Sequence, residues 1–280
     1  MRSETMYRLI FLVSLSAFVG CGTATKPQEF GTPIDDSPSI PTLKVAGEKP
    51  ETTEAATREL FDKIVLAHTN NQPSRIEQLR KHKQHRKGER IVGDFRSPLE
   101  MDVVASWPMR YRANYLHTMP DKIVHAFSFR NDTGWQNRSD IGAGQRIPIL
   151  PLELDSMLPD VRAEWVASLV PLIADNIRIA RVPSEKLNSE MILRFWYADQ
   201  PPVILHADSK TNWISQIAFE AKDDGQTVTR MLTLSDHRPV NGVVLPHRIE
   251  FSGGPRFKCN WATVEYEFPV TIDEAIFDKP

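Results

Sequence analysis

The chain has 280 residues, with 34 basic and 36 acidic side chains, a formal net charge of -2, 41% apolar residues and two cysteines. This balance excludes a globally basic nucleic-acid binder and a mostly disordered chain, and two cysteines exclude a disulfide scaffold or a four-thiolate zinc site. Beyond the N-terminus, no apolar run reaches the roughly 20 residues that a membrane-spanning helix needs.

In chain order, Arg2 and Arg8 flank the start of an apolar stretch, Leu9 to Gly20. Its length, about a dozen residues, is that of a signal-peptide core. It ends in Phe18-Val19-Gly20-Cys21, which resembles a bacterial lipobox with Phe18 where Leu is usual. That resemblance implies a signal peptide over 1–20 and a diacylglyceryl group on the sulfur of Cys21. The alternatives are an ordinary signal peptide with an incidental cysteine, or a Cys21–Cys259 bridge. Residues 21–51 read as a tether, with Pro27, Pro33, Pro38, Pro41 and Pro50 among Gly, Ser and Thr. Such a composition buries too little apolar surface to offset chain entropy.

The folded part is read as 52–280. A helix is expected from a Thr52 or Thr53 cap, with Leu60, Phe61, Ile64 and Ala67 as its apolar stripe and Asn70 to Pro73 as its end. The stretch Ile76 to Arg90 is strongly basic and reads as a solvated strand with a turn at Lys87-Gly88-Glu89. Period-2 alternation then marks half-buried strands. Met101, Val103, Ala105 and Trp107 share one face, followed by Met109, Tyr111, Ala113 and Tyr115, then by Ile123, His125, Phe127 and Phe129. A second helix is expected from a Ser156 cap, with Val161, Trp165, Leu169, Leu172 and Ile173 in one stripe and a kink or interruption at Pro171. Further strands follow from Ile177: Leu193, Phe195 and Tyr197; Val203 to Ala207; Trp213, Ile217 and Phe219; then 227–234, 243–251 and 257–268. Roughly ten short strands at hairpin spacing with two helices give an α+β fold. The expected form is a curved antiparallel sheet with helices packed on its concave side.

Four segments in this order resemble the LolA/LolB/RseB-type superfamily of lipoprotein-sorting and lipid-binding folds. They are Phe95-Arg96-Ser97-Pro98 running to Arg110-Tyr111-Arg112, Ala207-Asp208-Ser209-Lys210-Thr211, Asn241-Gly242-Val243-Val244-Leu245-Pro246, and Val270 to Pro280. Asn212 stands where such proteins usually have Gly, and the long proline-rich leader departs from them too. The resemblance implies an incomplete β-barrel with an apolar cavity lidded by helices, able to take an acyl chain or a lipidated protein. The candidate pocket residues are Tyr111, Phe127, Phe129, Phe195, Trp213, Ile217 and Phe219 from the strands, with Trp165, Leu169 and Ile173 from the helix. They are also the residues that would simply fill a core.

Catalytic signals are weak. There is no G-x-S-x-G, H-E-x-x-H or Walker A motif, and Gly142-Ala143-Gly144 lacks dinucleotide-binding spacing. His82 and His85 lie among cations that repel a divalent metal, and His206-Ala207-Asp208 lacks a third ligand. Asp236-His237 reads as a loop. The expectation is therefore a non-enzymatic, lipid-anchored cell-envelope protein, on the outer membrane more than the inner, with no metal, cofactor or nucleic acid. It would bind a hydrophobic ligand or act as a tethered interaction module with a filled core. A hydrolase with a dispersed site is the third reading.

Overall fold

The computed structural model describes residues 45–278 apart from 109, 118–122, 140–144, 146, 184–189, 198, 224, 255–256 and 269–270. The leader, Cys21 and most of the tether lie outside these residues, as do the 142–144 glycine run and the 269–270 joint.

The described chain forms α1 (Ala55–Thr69), a 3-10 turn (Pro73–Arg80), then β1 (Lys81–Val92), β2 (Phe95–Ser106), β3 (Arg110–His117), β4 (Ile123–Arg130), β5 (Thr133–Arg138) and β6 (Ile147–Pro148). Helix α2 (Pro151–Ala167) and a 3-10 turn (Val170–Ile173) follow. The second run of strands is β7 (Arg178–Arg181), β8 (Glu190–Trp196), β9 (Val203–Asp208), β10 (Ile214–Asp223), β11 (Gln226–Val240), β12 (Val243–Ser252) and β13 (Phe257–Glu267), and a 3-10 turn (Glu274–Phe277) closes the chain.

The thirteen strands make one open antiparallel sheet, ordered β6-β5-β4-β3-β2-β1-β13-β12-β11-β10-β9-β8-β7. Two meanders are thus joined at one seam, β1 against β13. The fold is α+β, as the alternation indicated. The strand count exceeds ten because two-residue pieces such as β6 leave no alternation to read.

One sheet face carries the core, and both helices pack into it. Leu99, Met101, Val103 and Ala105 of β2 are buried in strict alternation. Tyr111 pairs with Phe129 and Ala113 with Phe127 across β3–β4, so one face is continuous over these strands. Helix α1 buries Phe61, Ile64, Val65 and His68. The Phe61 ring stacks on Phe195 of β8 at 5.6 Å. Asn70 ends α1 in the left-handed region at φ 49°, a conformation that Asn tolerates better than most residues.

Several local readings are corrected. The 76–90 stretch is not a hairpin: Ile76 and Leu79 are buried in the 3-10 turn, and β1 runs unbroken through Lys87-Gly88-Glu89. Gly88 sits at a register shift between β1 and β13. A Cβ there would lie 1.9 Å from the carbonyl oxygen of Asn260, so the close backbone approach at the seam requires glycine. Thr53 does not cap α1; its hydroxyl accepts the Ile179 N–H of edge strand β7 at 3.1 Å. Helix α2 begins at Pro151 rather than Ser156, because Glu153 reaches back to the Leu150 N–H at 3.1 Å. Of the kink or interruption expected at Pro171, the structure has the interruption: the backbone breaks at Leu169, φ 65°, and Pro171 lies in the separate 3-10 turn beyond it. Asp236 and His237 lie within β11.

The bulge between Ile214 and Gln216 overturns one more expectation. It reverses the parity, so Ile214 joins Ile217 and Phe219 in the core, while Trp213 leaves it and stacks on His237 at 5.3 Å. His68 and His237 serve the disturbed backbone: the Ile214 N–H donates to His68 Nε2 at 2.9 Å, and His237 Nε2 donates to the Ile214 carbonyl at 3.0 Å. The Nδ1–H of His68 goes to the Val244 carbonyl at 2.8 Å, which fixes its neutral tautomer and ties α1 to β10 and β12.

Replacing Gly88 by Ala will lower the unfolding free energy by about 1–3 kcal/mol in urea titrations, the cost of overpacking. The neighbouring Lys87→Ala change will stay within about 0.5 kcal/mol. Equal effects would contradict the tight seam.

Candidate ligand-binding face

The core-bearing face is built around β1, which lies in the middle of the sheet between β2 and β13. Its inward positions hold His82, Gln84 and Arg86, all buried. They pair across β2 with Ala105, Val103 and Met101, which are core residues. The basic stretch read as solvated thus sends every second residue inside.

These three side chains form a chain of hydrogen bonds. His82 Nδ1–H donates to the Leu79 carbonyl at 2.8 Å, and its Nε2 accepts from Gln84 Nε2 at 3.0 Å. Gln84 Oε1 accepts from Arg86 Nε at 2.7 Å and also from Arg86 Nη2. Both Arg86 terminal nitrogens reach Glu164 on α2, at 2.7 and 2.6 Å. Arg86 is fully buried. Burial opposes its charge, but Glu164 outweighs burial and holds the guanidinium pKa above its usual value. Burial, with Arg86 nearby, pushes His82 down to about 4, against the pull of its Leu79 bond.

A second arginine repeats the arrangement one helical turn away. Arg230 of β11 is buried and donates from Nη1 to both oxygens of Asp160 at 2.9 Å and to the Ser156 carbonyl at 2.8 Å. Its Nη2 donates to Ser156 Oγ at 3.0 Å. Burial raises the Asp160 pKa to about 6, against the pull of Arg230. Ser156, Asp160 and Glu164 are spaced four apart, so they make one polar row along α2. Leu158, Val161, Ala163 and Val166 of the same helix are buried beside it.

An aromatic seam runs through this layer. Centroid contacts link Phe127 to Tyr111 (6.2 Å), Tyr111 to Trp107 (5.8 Å) and Trp107 to Trp165 of α2 (5.9 Å). The seam continues from Trp165 to Tyr197 (5.1 Å), Tyr197 to Phe195 (5.4 Å) and on to Phe61. Rings from both meanders and both helices therefore touch in series.

Of the residues singled out as pocket-lining, Tyr111, Phe127, Phe129, Leu169, Phe195, Ile217 and Phe219 are buried together in the core, and Trp165 and Ile173 pack against it half-buried. Trp213 is outside. A pocket between the C-terminal part of α2 and the sheet, lined by Leu79, His82, Gln84, Glu164, Ser168 and Tyr266, measures about 10 Å³, roughly room for one water. Sequence reasoning missed His82, Gln84, Arg86, Asp160, Glu164 and Arg230. Their signal is the shared parity of residues 82, 84 and 86 and the four-residue spacing of 156, 160 and 164.

No protein-family model and no curated protein matches this chain. Among solved structures, it is similar to a domain named for outer membrane lipoprotein sorting from Vibrio parahaemolyticus, with 11% identity over 80% of this chain and 96% of that one, TM-score 0.49. A LolA superfamily protein from Nitrosomonas europaea aligns at 11% identity over 80% and 97%, TM-score 0.47. A DUF1329 family protein from Desulfovibrio piger aligns at 10% identity over 79% and 96%, TM-score 0.48.

Two outcomes follow for this layer. Arg86→Met alone will cost about 3–5 kcal/mol in denaturant titrations, because it strands the Glu164 carboxylate, and adding Glu164→Leu will restore most of the loss. Purely additive losses would contradict the pairing. In the pH dependence, His68 and His82 have folded pKa values of about 4 against 6.5 when exposed. The unfolded chain therefore binds protons first, and stability is full above pH 6.5 and falls toward pH 4, by about 3 kcal/mol per histidine. Asp160, raised from 3.8 to about 6, works the other way over the same range. Asp160→Asn will thus steepen the fall below pH 6, read from urea midpoints; an unchanged slope would contradict it.

Proposed function

We propose that this chain is a lipid-anchored cell-envelope protein that holds a hydrophobic ligand, an acyl chain or a lipidated protein, between the sheet and α2. Cys21 would carry the anchor, and the proline-rich stretch after it would set the domain off the membrane, the outer one in preference to the inner.

One observation carries the reading: α2 is fixed to the core-bearing face by two arginine–carboxylate pairs. A buried ion pair recovers little free energy beyond the cost of desolvating its charges. A polar row of this kind is therefore a weaker attachment than an apolar stripe of equal area. It still has one geometry, so the helix has a defined seat that it can leave. The backbone break at Leu169 and the 3-10 turn at Val170–Ile173 supply a joint at the C-terminal end of α2. Lifting α2 would expose Tyr111, Phe127, Phe129 and Leu169, and an acyl chain laid there gains about 0.8 kcal/mol per CH2 buried.

A second reading rests on the same layer as it stands. The aromatic seam packs ring on ring between the helices and the sheet, and the pocket beside it has room for about one water, as in a permanently filled core. The chain would then be a tethered module whose partner is another envelope protein.

Native mass spectrometry of the full chain purified without detergent separates the two. The binding reading expects a co-purifying lipid or lipopeptide. It also expects that ligand, added back to stripped protein at about 100 times its Kd, to contribute about 2.7 kcal/mol. That corresponds to a rise of about 5–10 °C in melting temperature for a domain of this size. A clean mass with no shift across lipids and lipidated peptides would overturn binding in favour of the module.

A further inference from the structure

Two indole N–H groups stand out in the seam. Trp107 is buried, and its Nε1 is shielded from solvent with no hydrogen-bond partner among the described residues. Trp165 Nε1 is in the same condition. The two rings stack on each other at 5.9 Å and 19°, one from the end of the β2 segment and one from α2. Native interiors leave few buried polar groups unpaired, and here two fall in one stacked pair at the sheet–helix boundary.

The neighbouring donors are already committed. Arg86 is engaged by Gln84 and Glu164 through Nε and both terminal nitrogens. His82 gives its proton to Leu79 and takes one from Gln84. Arg162 Nε and Arg230 Nε are also buried without a partner among the described residues, but the two indoles are the unpartnered donors that lie stacked on each other. An indole N–H only donates, so the complementary group is an acceptor. The Glu164 and Asp160 carboxylates of this region are each paired with a buried arginine, so among the described residues no free cation is left there to offset the desolvation of an incoming anion.

We infer that Trp107 and Trp165 form a polar subsite that recognises the neutral carbonyl of an acyl ester or acyl amide, one indole on the sheet and one on the helix. The inference rests on the binding reading above and narrows it. The ligand is an acylated molecule rather than a plain hydrocarbon, and its carbonyl lies at the α2 boundary with the chain running into the core. Closing α2 on the ligand then brings the helix indole to the carbonyl group, so helix closure and ligand recognition are coupled.

The test uses the full chain labelled with 15N at the indole nitrogens. The Trp107 and Trp165 signals are assigned from Trp107→Phe and Trp165→Phe. Methyl myristate, N-methylmyristamide and tetradecane are added, and affinities are read by displacement of a fluorescent apolar probe. The inference expects both indole N–H signals to move downfield with ester or amide and to stay in place with the alkane. It also expects Trp107→Phe to weaken ester or amide binding about tenfold, the loss of one hydrogen bond, with alkane binding changed less than twofold. Trp261→Phe, which removes the same ring area elsewhere in the core, will not alter the preference.

A response to the ester alone would assign glycerolipid-type chains, and one to the amide alone N-acylated chains; either supports the subsite. Binding of all three compounds with unmoved indole signals would overturn the subsite and leave the binding reading intact. No binding of any compound would overturn both.

Discussion

The fully buried guanidinium of Arg86 constrains everything around it. It sits on β1, an interior strand of a sheet assembled from two meanders, at the seam where they meet. A charge in that position is costly unless it is paired and its protons are satisfied. Gln84 and Glu164 supply the partners, and Glu164 belongs to the helix that connects the meanders. One interaction therefore ties the first meander to the crossing helix. Arg230 does the same for the second meander through Asp160 and Ser156.

This explains why α2 takes one seat on an otherwise apolar surface. Apolar contact is non-directional and would allow the helix to slide or turn. Two forked guanidinium groups facing residues four apart fix both register and rotation. The aromatic seam then fills the space between. The layer is ordered, but much of the attraction in its ion pairs is offset by desolvation, and the proposed function draws on that balance. Beneath α1 the logic differs: neutral His68 is spent on the backbone of the Ile214 bulge, and Phe61 packs directly on Phe195. That helix is part of the scaffold.

Much of the architecture was legible because β2 and β3 alternate and the turns before β2 and after β4 carry Gly93-Asp94 and Asn131-Asp132. Nine of the ten apolar positions picked for the concave face belong to the core or pack on it, since parity survives wherever pairing is regular. Trp213 failed because a single inserted residue, Ser215, reverses the parity of what precedes it, and no composition signal marks such a bulge. Arg86 and its neighbours were hidden for another reason. In a run with cations at 80, 81, 83, 86, 87 and 90, burial of one basic residue in the middle is not readable without knowing which carboxylates face it. Glu164 lies 78 residues away. Helix α2 was started too late because Ser156 is a good cap in isolation, while the actual start uses Pro151 and the Glu153 side chain.

The central claim is that a ligand lies between the sheet and α2, with the helix moved outward from its empty-state seat and resting over the ligand. The most direct measurement is the distance between spin labels on exposed Asp155 of α2 and exposed Asp102 of β2, each changed to Cys in the full chain with Cys21→Ser. Distances would be read by pulsed electron resonance before and after saturation with methyl myristate, with occupancy checked by mass spectrometry. The account predicts a single short distance in the empty protein and a longer or broadened one in the loaded protein. A loaded protein with an unchanged distance would contradict it, because the pocket between α2 and the sheet has room for about one water.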